Sequence, residues 1–119
     1  MTIRGAGDLR DRVHLQRRAL GNDGFADSMP SGQFETVVTV WAHLLPLRGS
    51  ESVQASRLQG RQPFVLTIRQ SSAVRELTTA WRVVDARNPS RVFAINAPPT
   101  DPDGKRALFE ILITEGAPS

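Results

Sequence analysis

Apolar residues in this chain recur mostly at every second position, in short runs separated by turn-forming residues, and that is the pattern of half-buried β-strands. Val13 and Leu15 alternate with Arg12, His14 and Gln16, which predicts a first strand after Asp8. Ala19 to Gln33 carries three glycines, a proline and several short polar residues, so a flexible loop is expected over 19–33. A second strand begins near Phe34. Phe64-Val65-Leu66-Thr67-Ile68-Arg69, Trp81-Arg82-Val83-Val84-Asp85, Arg91-Val92-Phe93-Ala94-Ile95-Asn96 and Ala107 to Thr114 supply four more. Asn88-Pro89-Ser90 and the segment Pro98 to Gly104 separate the last three with turn chemistry. No internal repeat or heptad interrupts the pattern.

The longest apolar run, Val37 to Leu47, departs from simple alternation. Val38, Val40, Ala42 and Leu44 share one parity, and Val37, Thr39, Trp41, His43 and Leu45 share the other. Both faces are largely apolar, so the strand needs cover on both sides, from a closed barrel with further elements or from a neighbouring subunit. Pro46 cannot donate to a ladder and Gly49 permits a change of direction, so 46–62 reads as a loop, with a short helix expected over Ser52–Gly60. Six strands at short spacings predict an all-β fold, a meander curling into a small β-barrel or sandwich. The reading is one domain over 1–119 with a frayed tail at 115–119.

Composition narrows the functional classes. At 119 residues, folding buries roughly two-thirds of the unfolded chain's surface. The chain has no cysteine, which excludes a disulfide framework, thiolate zinc sites and thiol nucleophiles and fits a reducing compartment. Nothing at the start resembles a secretory signal, and His43 and Pro46 break the longest apolar run well short of a membrane span, so a soluble protein is expected. The net charge is +3, and among 15 basic residues only Lys105 is a lysine. Those residues are dispersed, apart from Arg17-Arg18, so no dedicated nucleic-acid patch is indicated and the arginine bias fits genome composition.

Candidate chemistry is sparse. His14 and His43 lie on strands without a carboxylate nearby in sequence, which favours structural roles over metal binding or general-base work. Asp101-Pro102-Asp103-Gly104 has its glycine too early for a calcium loop and reads as a hairpin turn. No phosphate loop, nucleophile elbow or zinc-binding helix occurs, and Ser71-Ser72 has no base in view. No catalytic, cofactor or metal residue is assigned. Trp41 and Trp81 read as core residues in preference to base-stacking platforms, given an aromatic content of 6%. Glu51 stands beside a glycine just beyond the most apolar strand, where a contact role competes with a solvated acid on even terms.

Two motifs in order carry a resemblance. The first is Gly7, Leu9, Arg10, Arg12, Val13, Leu15 and Gln16; the second is Trp41, Ala42, Pro46, Gly49 and Glu51. From about Gly5 to Gly116 the chain resembles the phage head-tail joining proteins, also called head closure or stopper proteins, and their counterparts in gene transfer agents. It departs from them before the second strand, where Phe34 stands in place of the usual tryptophan. The resemblance implies a structural β-barrel protein, not an enzyme, forming a homo-oligomeric ring of six or twelve copies at the neck of the particle, assembled in the bacterial host cytoplasm. Its partners would be a portal or adaptor protein on the head side, a tail terminator or tail protein on the other, and double-stranded DNA passing through the channel. No cofactor and no membrane are implied. The loop residues Arg48, Gly49, Ser50, Glu51 and Arg57 would then face the channel or an adjoining ring. The alternative is a small barrel that binds single-stranded nucleic acid through its tryptophans.

Overall fold

In the computed structural model, which describes residues 9–20, 30–101, 104 and 107–116, six antiparallel strands close into a barrel. These are β1 (Asp11–Leu20), β2 (Pro30–Pro46), β3 (Gln62–Arg69), β4 (Arg82–Asp85), β5 (Val92–Ile95) and β6 (Leu108–Glu115), with one helix, α1 (Glu51–Leu58), between β2 and β3. The alternation read from the sequence sets their inner faces. Val13 and Leu15 of β1, Ala42 of β2, Leu66 and Ile68 of β3, Val83 of β4, Phe93 of β5 and Ile111 and Ile113 of β6 are buried in one cluster. Phe64 and Phe93 meet edge to face there, with ring centroids 5.5 Å apart. Burial of each of the larger side chains among them contributes about 1.5–3 kcal/mol, so this cluster is the main source of stability.

The order around the barrel is β1-β2-β3-β6-β5-β4, which corrects the expected meander. β3 pairs with β6, and β4 closes the barrel against β1, so the connection from β3 to β4 must cross an end of the barrel. That crossing contains a 3-10 turn at Val74–Glu76 and places Val74, Leu77 and Trp81 in the core. Turn residues specify where a strand ends but not which edge it joins, so the crossing left no local signature.

The β1–β2 hairpin is longer than expected. Pairing runs from Asp11↔Ala42 to Arg18↔Phe34 and Leu20↔Pro30, so Ala19, Leu20 and Pro30–Gln33 belong to strands. Only 21–29 of the expected 19–33 loop remains, and it lies outside the described residues. Pro30 is tolerated because it is the first residue of its strand. The register shifts where Leu15↔Val38 is followed by Gln16↔Thr36, leaving Val37 as a bulge, and both Val37 and Val38 pack on the core. The tail is also shorter than expected. Glu115 pairs with Gln62 and Phe93 and so belongs to β6, while 117–119 lie outside the described residues.

An arginine fastens the far side of the barrel. Arg91 Nε and Nη2 donate to the two carboxylate oxygens of Glu115 at 2.9 and 3.1 Å, and Nη1 donates to Asp85 Oδ2 at 3.2 Å. The guanidinium also lies 5.2 Å from the Phe93 ring centroid. The hydrogen bond that Arg91 donates to Glu115 raises the Arg91 pKa, against the opposing pull of burial, with the charges of both carboxylates adding to the effect.

Candidate functional site

Two exposed surfaces stand at opposite ends of the β2–β3 pairing, which runs from Ala42↔Ile68 to Pro46↔Phe64. Trp41 lies just beyond one end and α1 just beyond the other. Trp41 to Pro46 is about 17 Å along an extended strand, so the two motif groups do not form one site.

At the first end, Trp41 is 50% exposed, which corrects its assignment to the core. The physical reason is parity. Ala42 is fully buried, so its neighbour Trp41 points outward, and Arg12 sits opposite it on β1. The Arg12 guanidinium lies 4.6 Å from the Trp41 ring centroid and that of Arg87 lies 6.0 Å away. Trp81, by contrast, is 6% exposed and belongs to the core as expected. Beside Trp41 is a groove of about 740 Å³ lined by Leu9, Arg10, Arg12 and Thr39 on one part and by Val40, Trp41, Arg69 and Ser71 on the other. Arg69 follows Ile68, which pairs with Ala42, so it lies in line with Trp41 where β3 leaves β2. Asp11 turns its carboxylate away from this groove to accept the Leu44 amide at 3.0 Å. The sequence reading counts Leu9, Arg10, Arg12 and Trp41 among its motif residues, but takes Arg69 only as the end of a strand, sets Ser71 aside for want of a base and does not single out Arg87. The outward parity of Arg69 on its strand was the available signal.

At the second end, Glu51, expected in the loop just before the helix, is the first residue of α1, and Arg57, within the helix expected over Ser52–Gly60, lies in its last turn. Ser50 caps it by accepting the Val53 amide at 3.2 Å, and Glu51 places a carboxylate in the first turn, where the helix dipole favours it. Gly49 makes the entry possible at φ +96°. No residue of α1 is buried, and Leu58 is 89% exposed. The helix is fastened at its exit: the Arg61 amide donates to Ser56 O at 2.9 Å, and Gly60 at φ +80° lies against Gly116. Arg48, Gly49, Ser50, Glu51 and Arg57 are all exposed.

Val13, Leu15 and Ala42 are fully buried in the core, and Pro46 ends β2 opposite Phe64. Gly7 lies outside the described residues. His14 Nδ1 shares a 2.7 Å hydrogen bond with Thr39 Oγ1 across the β1–β2 pair. Among the described residues no group of three or more His, Asp or Glu side chains is placed to hold a metal ion, and no helix is long and apolar enough to cross a membrane. The Gly104 amide donates to Asp101 Oδ1 at 3.1 Å, and Pro102 and Asp103 of the expected hairpin turn lie outside the described residues.

A closed six-stranded barrel with an exposed helix at one end and an exposed arginine-tryptophan surface at the other defines a small β-barrel protein. The chain belongs to the phage head completion protein family, whose model matches residues 4–116, and so has a structural role in the phage head. The fold is similar to that of a chain in the virion of a native gene transfer agent particle, with a TM-score of 0.58 and 20% identity, covering 90% of this chain and 94% of that one. It is also similar to protein SF1141 from Shigella flexneri 2a, known from a solution structure, with a TM-score of 0.63 and 26% identity, covering 95% and 97%. No curated protein matches the chain.

Proposed function

We propose that the protein is a non-catalytic connector subunit at the neck of a phage or gene transfer agent particle, forming a ring that closes the DNA exit channel after packaging and docks the tail. The observation that carries this reading is α1. A capped helix of eight residues with nothing buried gains little from its own barrel, and ordering it costs conformational entropy that contacts in an assembly repay. A ring supplies such contacts, because each subunit of a cyclic assembly presents different patches to its two neighbours. The likeness of fold to a chain in a gene transfer agent virion supports this reading.

In this reading α1 and the Arg48–Glu51 approach face the channel or the adjoining ring, the copy number is six or twelve, and the flanking partners are a portal or adaptor protein and a tail terminator. Double-stranded DNA must leave as well as be held, so a channel surface should not grip phosphate with many unpaired cations. The test is deletion of the gene in its phage or gene transfer agent. DNA-filled heads that leak or lack tails are expected. Full heads with tails attached at the normal frequency contradict the proposal. The binding of single-stranded nucleic acid is not adopted, because Trp81 is in the core and Trp41 already carries the Arg12 guanidinium against its ring.

A further inference from the structure

β2 is paired along one side from Pro30 to Ala42 by β1, but β3 takes its other side only from Ala42 to Pro46. Among the described residues nothing pairs with the β3 side of β2 from Pro30 to Trp41. Among the described residues, then, this stretch of strand edge has no ladder partner. Alternate backbone N–H and C=O groups along that edge point outward with no ladder partner. The bulge at Val37 bends the edge below Val38, so the straight part is Val38–Trp41, in the lane that β3 vacates at Arg69.

The groove beside Trp41 lies along this lane, because Thr39, Val40 and Trp41 form one of its walls and Arg69 and Ser71 stand where β3 turns away. Its chemistry is uneven. Leu9, Val40 and Trp41 supply apolar surface and Arg10, Arg12 and Arg69 supply guanidinium groups, with no carboxylate among the described residues that line it. A strand edge recognises a polypeptide backbone, with residues spaced about 3.3 Å apart and side chains alternating between two faces. Duplex DNA offers anionic phosphates to the arginines but nothing to add to a ladder.

We propose that the β2 edge at Val38–Trp41 is a docking site for an extended acidic segment of a partner protein, which adds as a strand in the lane beyond Arg69. On the outward face, which Trp41 and Arg12 share, its carboxylates meet Arg69 and Arg12, and on the opposite face its alternate apolar side chains meet Val40. The bidentate fork of arginine suits carboxylates on such a strand. The proposal does not depend on the connector reading, since it rests on the pairing and the groove alone.

The test is titration of the full chain, isotopically labelled, with a capped synthetic peptide of roughly eight residues, about a strand's length, alternating glutamate with valine at low salt. Amide shifts and slowed hydrogen exchange at Val38–Trp41 are expected. Affinity should fall about tenfold in Arg69→Glu, and a lysine–valine peptide should recover binding to that variant while binding the wild type more weakly. The spectrum of the exposed Arg69→Glu variant shows directly that the barrel is intact. The proposal is overturned if the peptide produces no shift at these amides, or if blocking alternate peptide amides by N-methylation leaves binding unchanged. It is also overturned if the same amides become protected with rising protein concentration alone, since a second copy then occupies the edge, or if a DNA duplex displaces the peptide from it.

Discussion

Arg12 and Trp41 face each other across the β1–β2 pair, with the guanidinium 4.6 Å from the ring centroid on the outside of the barrel. An exposed cation–π contact of this kind contributes about 0.5–1 kcal/mol. Trp41→Ala is therefore expected to cost about 1 kcal/mol. Trp81→Ala removes a buried ring from the core and is expected to cost about 3–5 kcal/mol. Urea unfolding of the two variants measures the difference, and equal losses would show that Trp41 is a core residue after all.

Ser50→Ala removes the cap of α1, a loss of about 0.5–2 kcal/mol from the helix. Because α1 buries nothing, the barrel does not depend on it. Amide exchange in Ser52–Leu58 should accelerate while exchange in β3 and β6 stays unchanged. Global unfolding at lower denaturant would place the helix in the cooperative core instead.

Gly116→Ala tests the clamp at the exit of the helix. A Cβ at this position would lie 2.5 Å from Gly60 O, on a backbone at φ +87° that side chains disfavour. The two penalties together predict a loss of about 1–3 kcal/mol. Gly104→Ala shares the positive φ but meets no atom within 4 Å, so its cost should be about 1 kcal/mol. Thermal unfolding that ranks Gly104→Ala as the more damaging would contradict the close approach to Gly60.

Arg91→Met leaves Glu115 and Asp85 facing the Phe93 side of the barrel without their shared donor. The pair is partly solvated, with one third of the Arg91 side chain exposed, so the loss is reduced by screening to about 1–2 kcal/mol. The folded-state pKa of Arg91 is raised, and a raised basic group contributes fully at any pH below its unfolded value. The guanidinium is thus charged through the neutral and mildly alkaline range, and its contribution disappears only in strong alkali. The difference in stability between wild type and Arg91→Met should be constant from pH 7 to 9. A difference that shrinks across that window would mean another group sets it.

Most of the barrel could be read from alternation because alternation is what closure requires. Phe64, Leu66 and Ile68 against Val65, Thr67 and Arg69 identified a strand and its inner face without knowledge of its neighbours. Strand order was not readable, since Val74, Leu77 and Trp81 reveal a crossing only once β4 is seen beside β1. Trp41 was misread for a related reason. Both parities of β2 are apolar, and the residue that decides between them, the fully buried Ala42, has too small a side chain to advertise an inner face. Gly60 marked the end of the helix, whereas the Ser50 cap was not read from the sequence, which placed Ser50 in the preceding loop. The exposure of that helix was invisible, because a weakly amphipathic run of eight residues does not disclose whether anything covers it.

Glu51→Ala is expected to leave unfolding within about 0.5 kcal/mol of wild type, as for other exposed first-turn acids. In the connector reading it reduces incorporation into particles. Normal incorporation and normal tail attachment would remove Glu51 from the contact surface.

The most direct measurement of the connector proposal is cryo-electron microscopy of intact particles that contain this chain, with density fitted at the head-tail junction. The account predicts a closed ring of barrels on the DNA axis between head and tail, with α1 against the channel or the adjoining ring. Density for this chain located away from the junction, or a junction complete without it, would contradict the account.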